Sequence, residues 1–200
     1  MIIFFGPAGS GKSEQGQRIA KKYGWKWLST GQLIRDQGDV GANKELKTGK
    51  LFDDNFVTEL MYGAMLRSEA EGAEVILDGY PRNENQAKWL IGNETIGMID
   101  GAIVLDVPPK ELWKRIKTRG RADDTEEAIN RRWEIFEQNI YSILPLLESK
   151  NVKITTIDGV GTIDEITERI EEILKEWGIL NDVAIVGSEA GGGRESSYGE

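Results

Sequence analysis

"IIFFGPAGSGKSEQGQRIA", residues 2–20, decides the architecture. Four apolar, β-favouring residues run into a glycine-rich stretch, Gly6 to Ser13, that satisfies G-x-x-x-x-G-K-[ST] in full, and a helical stretch follows. Strand, loop and helix in that order form the context in which the motif cradles phosphate. Glycines let backbone N–H groups converge on phosphate oxygens, and the helix N-terminus adds the positive end of its dipole. Lys12 neutralises charge on the outer phosphates, and Ser13 is a ligand for Mg²⁺. Gly9, Ser10, Gly11, Lys12 and Ser13 are therefore the candidate phosphate and metal contacts. A glycine-rich strand-to-helix turn with no ligand is the plainer alternative.

Outward from this stretch, apolar runs recur at 25–29, 74–78, 101–107 and 152–158, separated by helical stretches. Continuous apolar strands alternating with helices predict a parallel sheet covered on both faces. Asp53 and Asp54 open a periodic run through Leu60, Met61 and Met65, and Pro108 and Pro109 open one with Leu112 and Ile116 on a common face. Ile129, Trp133, Phe136, Ile140, Ile143 and Leu147 keep a helical period; Asp124 with Glu127 reads as a capping box for that helix, and Pro145 is expected to kink or end it. Residues 162–177 form a further amphipathic helix. From Gly178 onward the composition turns to Gly and Ser, which reads as a flexible tail or as a partner-binding segment built on "VAIV" at 183–186.

With 200 residues, of which 39% are hydrophobic, the chain fits one globular domain. Its formal net charge of −9 argues against a general nucleic-acid binder, so any anion site has to be local. There is no cysteine and no histidine, which excludes disulfides, thiolate zinc sites, imidazole bases and Ser-His or Cys-His nucleophiles. No apolar run approaches membrane-spanning length and no leader-like pattern opens the sequence; a soluble cytoplasmic protein, a monomer, is the expectation.

Asp78 ends the run "VILD", where a parallel strand delivers a carboxylate beside the cradle and its metal; a helix-capping or turn aspartate is the alternative. Arg115 and Arg119 lie four apart and project from one helical face.

The stretches "GPAGSGKSEQ", "LSTGQLIR", "KTGKLFDD", "LDGYPRNENQ" and "RADDTEEAINRR" occur in this order, and over residues 1–177 the chain resembles the adenylate kinase family of nucleoside monophosphate kinases. The resemblance implies a three-layer α/β/α P-loop fold with a five-stranded parallel sheet and a small helical acceptor-binding insert at about residues 29–58. It also implies Mg²⁺-dependent phosphoryl transfer from ATP to AMP. On the acceptor side, Thr30, Arg35, Lys50, Leu51 and Phe52 match family contacts, as do Gly79, Tyr80, Pro81, Arg82 and Gln86, the last a residue that hydrogen-bonds the base. On the donor side, Gly9 to Glu14, Arg115, Arg119 and Gly161 match ATP contacts. Arg121 and Arg132 match arginines that touch both phosphate groups; with Lys12, Arg82 and Arg119 they form the implied catalytic set. Ser13 would hold Mg²⁺ directly and Asp78 through water.

Two departures stand out. Glu14 places a carboxylate on the first turn after the cradle, where it caps the helix or repels the donor, which leaves a GTP or mixed donor open. Only Gly120 separates Arg119 from Arg121, where the family has a lid of a short loop or a whole domain, in some forms with zinc. A vestigial lid at about 119–122 and no structural zinc are expected, with weaker donor binding and futile hydrolysis of ATP. Kinases for UMP, CMP or another monophosphate, and a nucleotide-binding sensor that has lost transfer, are the rival readings.

Overall fold

The computed structural model describes residues 1–37, 53–93, 95–121 and 124–180. Lys50, Leu51, Phe52 and the segment 181–200 lie outside these, as do positions 122 and 123 in "RGRADD".

The chain runs β1 (Ile2–Phe5), α1 (Lys12–Tyr23), β2 (Lys26–Ser29), α2 (Thr30–Asp36), α3 (Asp54–Ala70), β3 (Val75–Asp78), α4 (Glu84–Gly92), β4 (Gly101–Asp106), α5 (Pro109–Arg119), α6 (Glu126–Glu148), β5 (Lys153–Asp158) and α7 (Ile163–Glu176). Every strand falls within its apolar run. The five strands pair in parallel in the order β2-β3-β1-β4-β5. Alternation along β1 divides the core. Ile3 and Phe5 face a cluster with Ile34, Met61, Leu90 and Ile143, from α2, α3, α4 and α6. Ile2 and Phe4 face another with Ile19, Ile166 and Ile170, from α1 and α7. A sheet covered on both faces is the physical reason its strands are apolar throughout.

β1 is the strand at which the chain changes direction across the sheet, since β3 and β2 lie to one side and β4 and β5 to the other. A crevice opens at the carboxyl end of such a strand. Register brings Phe4, Asp78 and Ser29 into one rung across β1, β3 and β2.

Helix ends follow the sequence in most places. Asp53 caps α3 by accepting from the N–H groups of Asn55 and Phe56, Pro109 opens α5, and Thr162 with Glu165 forms a capping box on α7. One expectation on α6 is corrected and another is narrowed. Its cap is Thr125, which accepts from Ala128 N, because the Asp124 carboxylate is held by arginines. Pro145 does not end the helix, which continues to Glu148. The carbonyl it leaves without a helical donor is that of Tyr141, a residue 80% exposed. Beyond α7, Ile179 N and Leu180 N donate to Leu174 O, and Leu180 is buried. Among the described residues no helix is long and apolar enough to cross a membrane.

Candidate active site

The loop between β1 and α1 depends on glycine at three points. Gly6, Gly9 and Gly11 have φ of +153°, +90° and +96°, a range disfavoured for residues with a Cβ. At Gly9 a Cβ would also come within 2.9 Å of Ile116 and 3.0 Å of the Leu112 carbonyl, so α5 packs directly on the loop. Gly11 caps α1 without any side chain, which leaves the helix N-terminus open toward the crevice. The Ser10 hydroxyl is buried without a partner, lying 2.5 Å from where a Gly6 Cβ would be. Its side chain therefore faces the loop's own backbone.

Ser13 Oγ donates to Asp78 Oδ2 at 2.6 Å. Asp78 is 2% exposed at the end of β3. A hydroxyl and a carboxylate side by side form a set of hard oxygen donors, which fits Mg²⁺. Lys12 lies beside them, its Nζ 3.4 Å from Pro7 O. Burial pulls the Lys12 ammonium down to about 8; Asp78 opposes this, while Arg82, Arg119 and Arg121 add to it. Lys12 thus feels three guanidinium groups and the Asp78 carboxylate at once.

On the β3 side, the turn at residues 79–82 sets Arg82 against the crevice. Gly79 has φ +75°, and a Cβ there would meet Arg82 Nη2 at 2.9 Å. Arg82 Nε donates to Gly79 O at 2.7 Å. Burial lowers the pKa of the Arg82 guanidinium, partly offset by Asp78, with repulsion from Arg132 and Arg35 adding to the fall. Arg35, at the end of α2, opens on the same cavity and takes Gln32 Oε1 at 3.0 Å.

On the α5–α6 side, Arg119 grips Asp124 through two hydrogen bonds of 2.6 and 2.9 Å. Arg132 Nη1 lies 3.4 Å from the same carboxylate, which is 3% exposed. Arg119, Arg121 and Arg132 line the cavity together with Lys12, Ser13, Asp78, Gly79, Pro81, Arg82 and Arg35. The remaining wall is largely apolar, with Phe5, Phe136 and Ile140, and also includes Ser29 and Asn139.

Several candidates stand elsewhere. Thr30 is buried and donates its hydroxyl to Gly79 O at 2.9 Å. Tyr80 is fully buried, with its phenol 3.3 Å from the Thr58 hydroxyl. Gln86 is also buried, its Nε2 donating to Asp54 at 2.9 Å and its Oε1 accepting from Arg82 N at 2.8 Å. Arg115 is committed to backbone, donating to Ser10 O at 3.1 Å and Gly159 O at 2.9 Å, and it pairs with Glu111. Gly161 lies in the β5–α7 loop outside the cavity lining, and Glu14 is exposed on the first turn of α1 without joining that lining.

Two residues escaped the reading of the sequence. Asp124 organises two of the arginines, and the signal was its place in "RADD". Trp133 Nε1 donates to Ala8 O in the loop at 2.9 Å, a contact between residues 125 apart that no local pattern announces.

Comparison with known proteins agrees with this geometry. The family model described as adenylate kinase matches residues 4–152. The adenylate kinase of Thermus thermophilus is 35% identical over 185 residues, covering 86% of this chain and 96% of that protein. The adenylate kinase of Mycobacteroides abscessus is 37% identical over 180 residues, with 86% and 98% covered, and that of a Synechococcus strain is 33% identical over 181 residues, with 86% and 97% covered. With a phosphate loop at the switch strand, arginines on both sides of it and relatives matched almost end to end, the chain belongs to the adenylate kinase family of phosphotransferases.

Proposed function

We propose that the protein transfers the γ-phosphoryl group of ATP to AMP, reversibly, giving two ADP. An AMP phosphate oxygen attacks the γ-phosphorus as the bond from that phosphorus to the β-phosphate oxygen breaks, so no proton has to move. This suits a site without histidine, because an ionised phosphate needs no general base. The observation that carries the reading is one cavity with cations on both sides of β1: Arg35 and Arg82 toward β2 and β3, and on the other side Arg119 of α5, Arg132 of α6 and Arg121 between these helices. A site for a single nucleotide would need only one of these sets. Lys12 stands between them at the foot of the loop, toward the β- and γ-phosphates.

In this reading Arg82 and Arg35 hold the acceptor phosphate, because a planar guanidinium pairs with two phosphate oxygens and stays charged. Arg119, Arg121 and Arg132 bear on the transferring group, where charge spreads over equatorial oxygens in the transition state. Mg²⁺, when bound, would supply positive charge that offsets the charge of the donor phosphates. Ser13 and Asp78 would hold it, the latter through water. Lys50, Leu51, Phe52 and Gln86 are proposed to meet the acceptor base, and for Gln86 this requires release of Asp54.

The test is ADP formation from ATP and Mg²⁺ with AMP, UMP, CMP and GMP supplied one at a time. Fast turnover with AMP supports the reading. Faster turnover with UMP or CMP moves the protein to a neighbouring specificity, and ATP binding without ADP formed from any acceptor identifies a sensor.

A further inference from the structure

We propose that Trp133 is a positioning residue that latches the phosphate loop to the helix carrying Arg132; this rests on the phosphoryl-transfer reading above. The loop works by presenting amides to phosphate, which requires its carbonyls to be turned away and held. Pro7 O accepts from Ser10 N at 3.1 Å, and Ser10 O accepts from Arg115 at 3.1 Å. Ala8 O, between them, accepts from the Trp133 indole N–H at 2.9 Å.

Trp133 follows Arg132 directly, so the bond fixes the position of α6 against the loop at the turn from which Arg132 enters the cavity. Its ring also meets Trp113 of α5 edge-on, with centroids 5.0 Å apart at 65°. α5 in turn packs on Gly9 through Ile116. Loop, α5 and α6 are tied pairwise, and they carry Lys12, Arg119 and Arg132. With only Gly120 between Arg119 and Arg121, the aromatic pair and its hydrogen bond give the three elements a fixed mutual position. Packing alone explains a large ring at 133; it does not explain an N–H reaching a loop carbonyl 125 residues away.

The experiment replaces Trp133 with phenylalanine and, separately, with β-(3-benzothienyl)alanine, which keeps the bicyclic shape and lacks the N–H. Misplacing a catalytic group by about 1 Å can cost ~10²-fold. For loss of one latch, kcat is expected to fall about tenfold in both variants, with the KM for AMP within about twofold of wild type. ATP affinity, measured by calorimetry, falls with kcat, while the benzothienyl variant melts at the wild-type temperature. Wild-type kcat and ATP affinity in the benzothienyl variant would overturn the latch, as would a loss confined to the phenylalanine variant, which would assign the effect to packing. If the wild-type protein forms no ADP from ATP and AMP, the transfer reading fails, and the difference in ATP affinity still decides the latch.

Discussion

Ser13 Oγ and Asp78 Oδ2 stand 2.6 Å apart, joining the first turn of α1 to the end of β3 across 65 residues of sequence. The hydroxyl belongs to the phosphate loop, and the carboxylate belongs to the strand that leads into the turn carrying Arg82. On the proposed function, the hydrogen bond lies on the boundary between donor and acceptor half-sites, beside Lys12. Asp78 is 2% exposed and has both Lys12 and Arg82 as cationic neighbours.

Asp78→Asn keeps the shape and removes the charge. If Asp78 orients Mg²⁺ through water, the Mg²⁺ concentration for half-maximal turnover should rise by roughly 10–100-fold, the usual range for such supporting groups. A magnesium titration of steady-state activity checks this, and an unchanged midpoint would remove Asp78 from the metal site.

Arg121→Ala and Arg132→Ala should each lower turnover by ~10³-fold if both stabilise the transferring phosphoryl group. Steady-state assays at saturating ATP and AMP separate this from weaker binding. Near wild-type turnover in both variants would overturn their assignment.

The Asp124 side chain is 3% exposed between two arginines, and Asp124→Asn replaces one of the two oxygens that accept from Arg119 with a donor. Arg119 is 29% exposed, so water takes up part of the loss. A destabilisation of about 1–3 kcal/mol in urea unfolding is expected from hydrogen bonds to charged groups. Activity should fall as well, since Arg119 and Arg132 lose their common anchor.

Only Gly120 separates Arg119 from Arg121, and a site with so little cover should admit water as a competing acceptor. ATP and Mg²⁺ without AMP should then yield measurable ADP and phosphate. A background below detection would mean that other segments exclude water.

Burial pushes the Tyr80 phenol up to about 12, with Thr58 pulling it down and Asp54 adding to the rise. Because this lies above the ordinary tyrosine value, the neutral phenol stabilises the fold below pH ~10, and the contribution is lost as pH rises toward the folded value. Unfolding at pH 8, 10 and 11 should show wild type losing stability faster than Tyr80→Phe. Parallel curves would count against this.

The strands were legible because a sheet buried on both faces demands continuous apolar runs, and the phosphate loop because glycine spacing is a local requirement. Asp53 and Thr162 could be read as helix starts for the same reason: their partners lie two or three residues away. Asp124 was misjudged as a cap because Asp124 and Thr125 are both residues that cap helices, and only the guanidinium of Arg119 decides between them. Of the two outcomes expected at Pro145, a kink or an end, the end does not occur, since the helix runs on to Glu148. The sequence does not show the distant partners that hold Thr30 and Gln86. Their hydroxyl and amide are satisfied by Gly79 and Asp54, 49 and 32 residues away, and such partners are invisible until the chain has folded.

The rung that aligns Ser29, Asp78 and Phe4 across β2, β3 and β1 has a mechanical meaning. Backbone ladders are the stiffest part of a sheet protein, and this one begins at the residue before α2, passes the carboxylate beside Ser13 and ends at Phe4, two residues before the phosphate loop opens at Gly6. It works as a ruler: whatever the helices do, the span from the start of α2 to the phosphate loop is graduated in strand spacings.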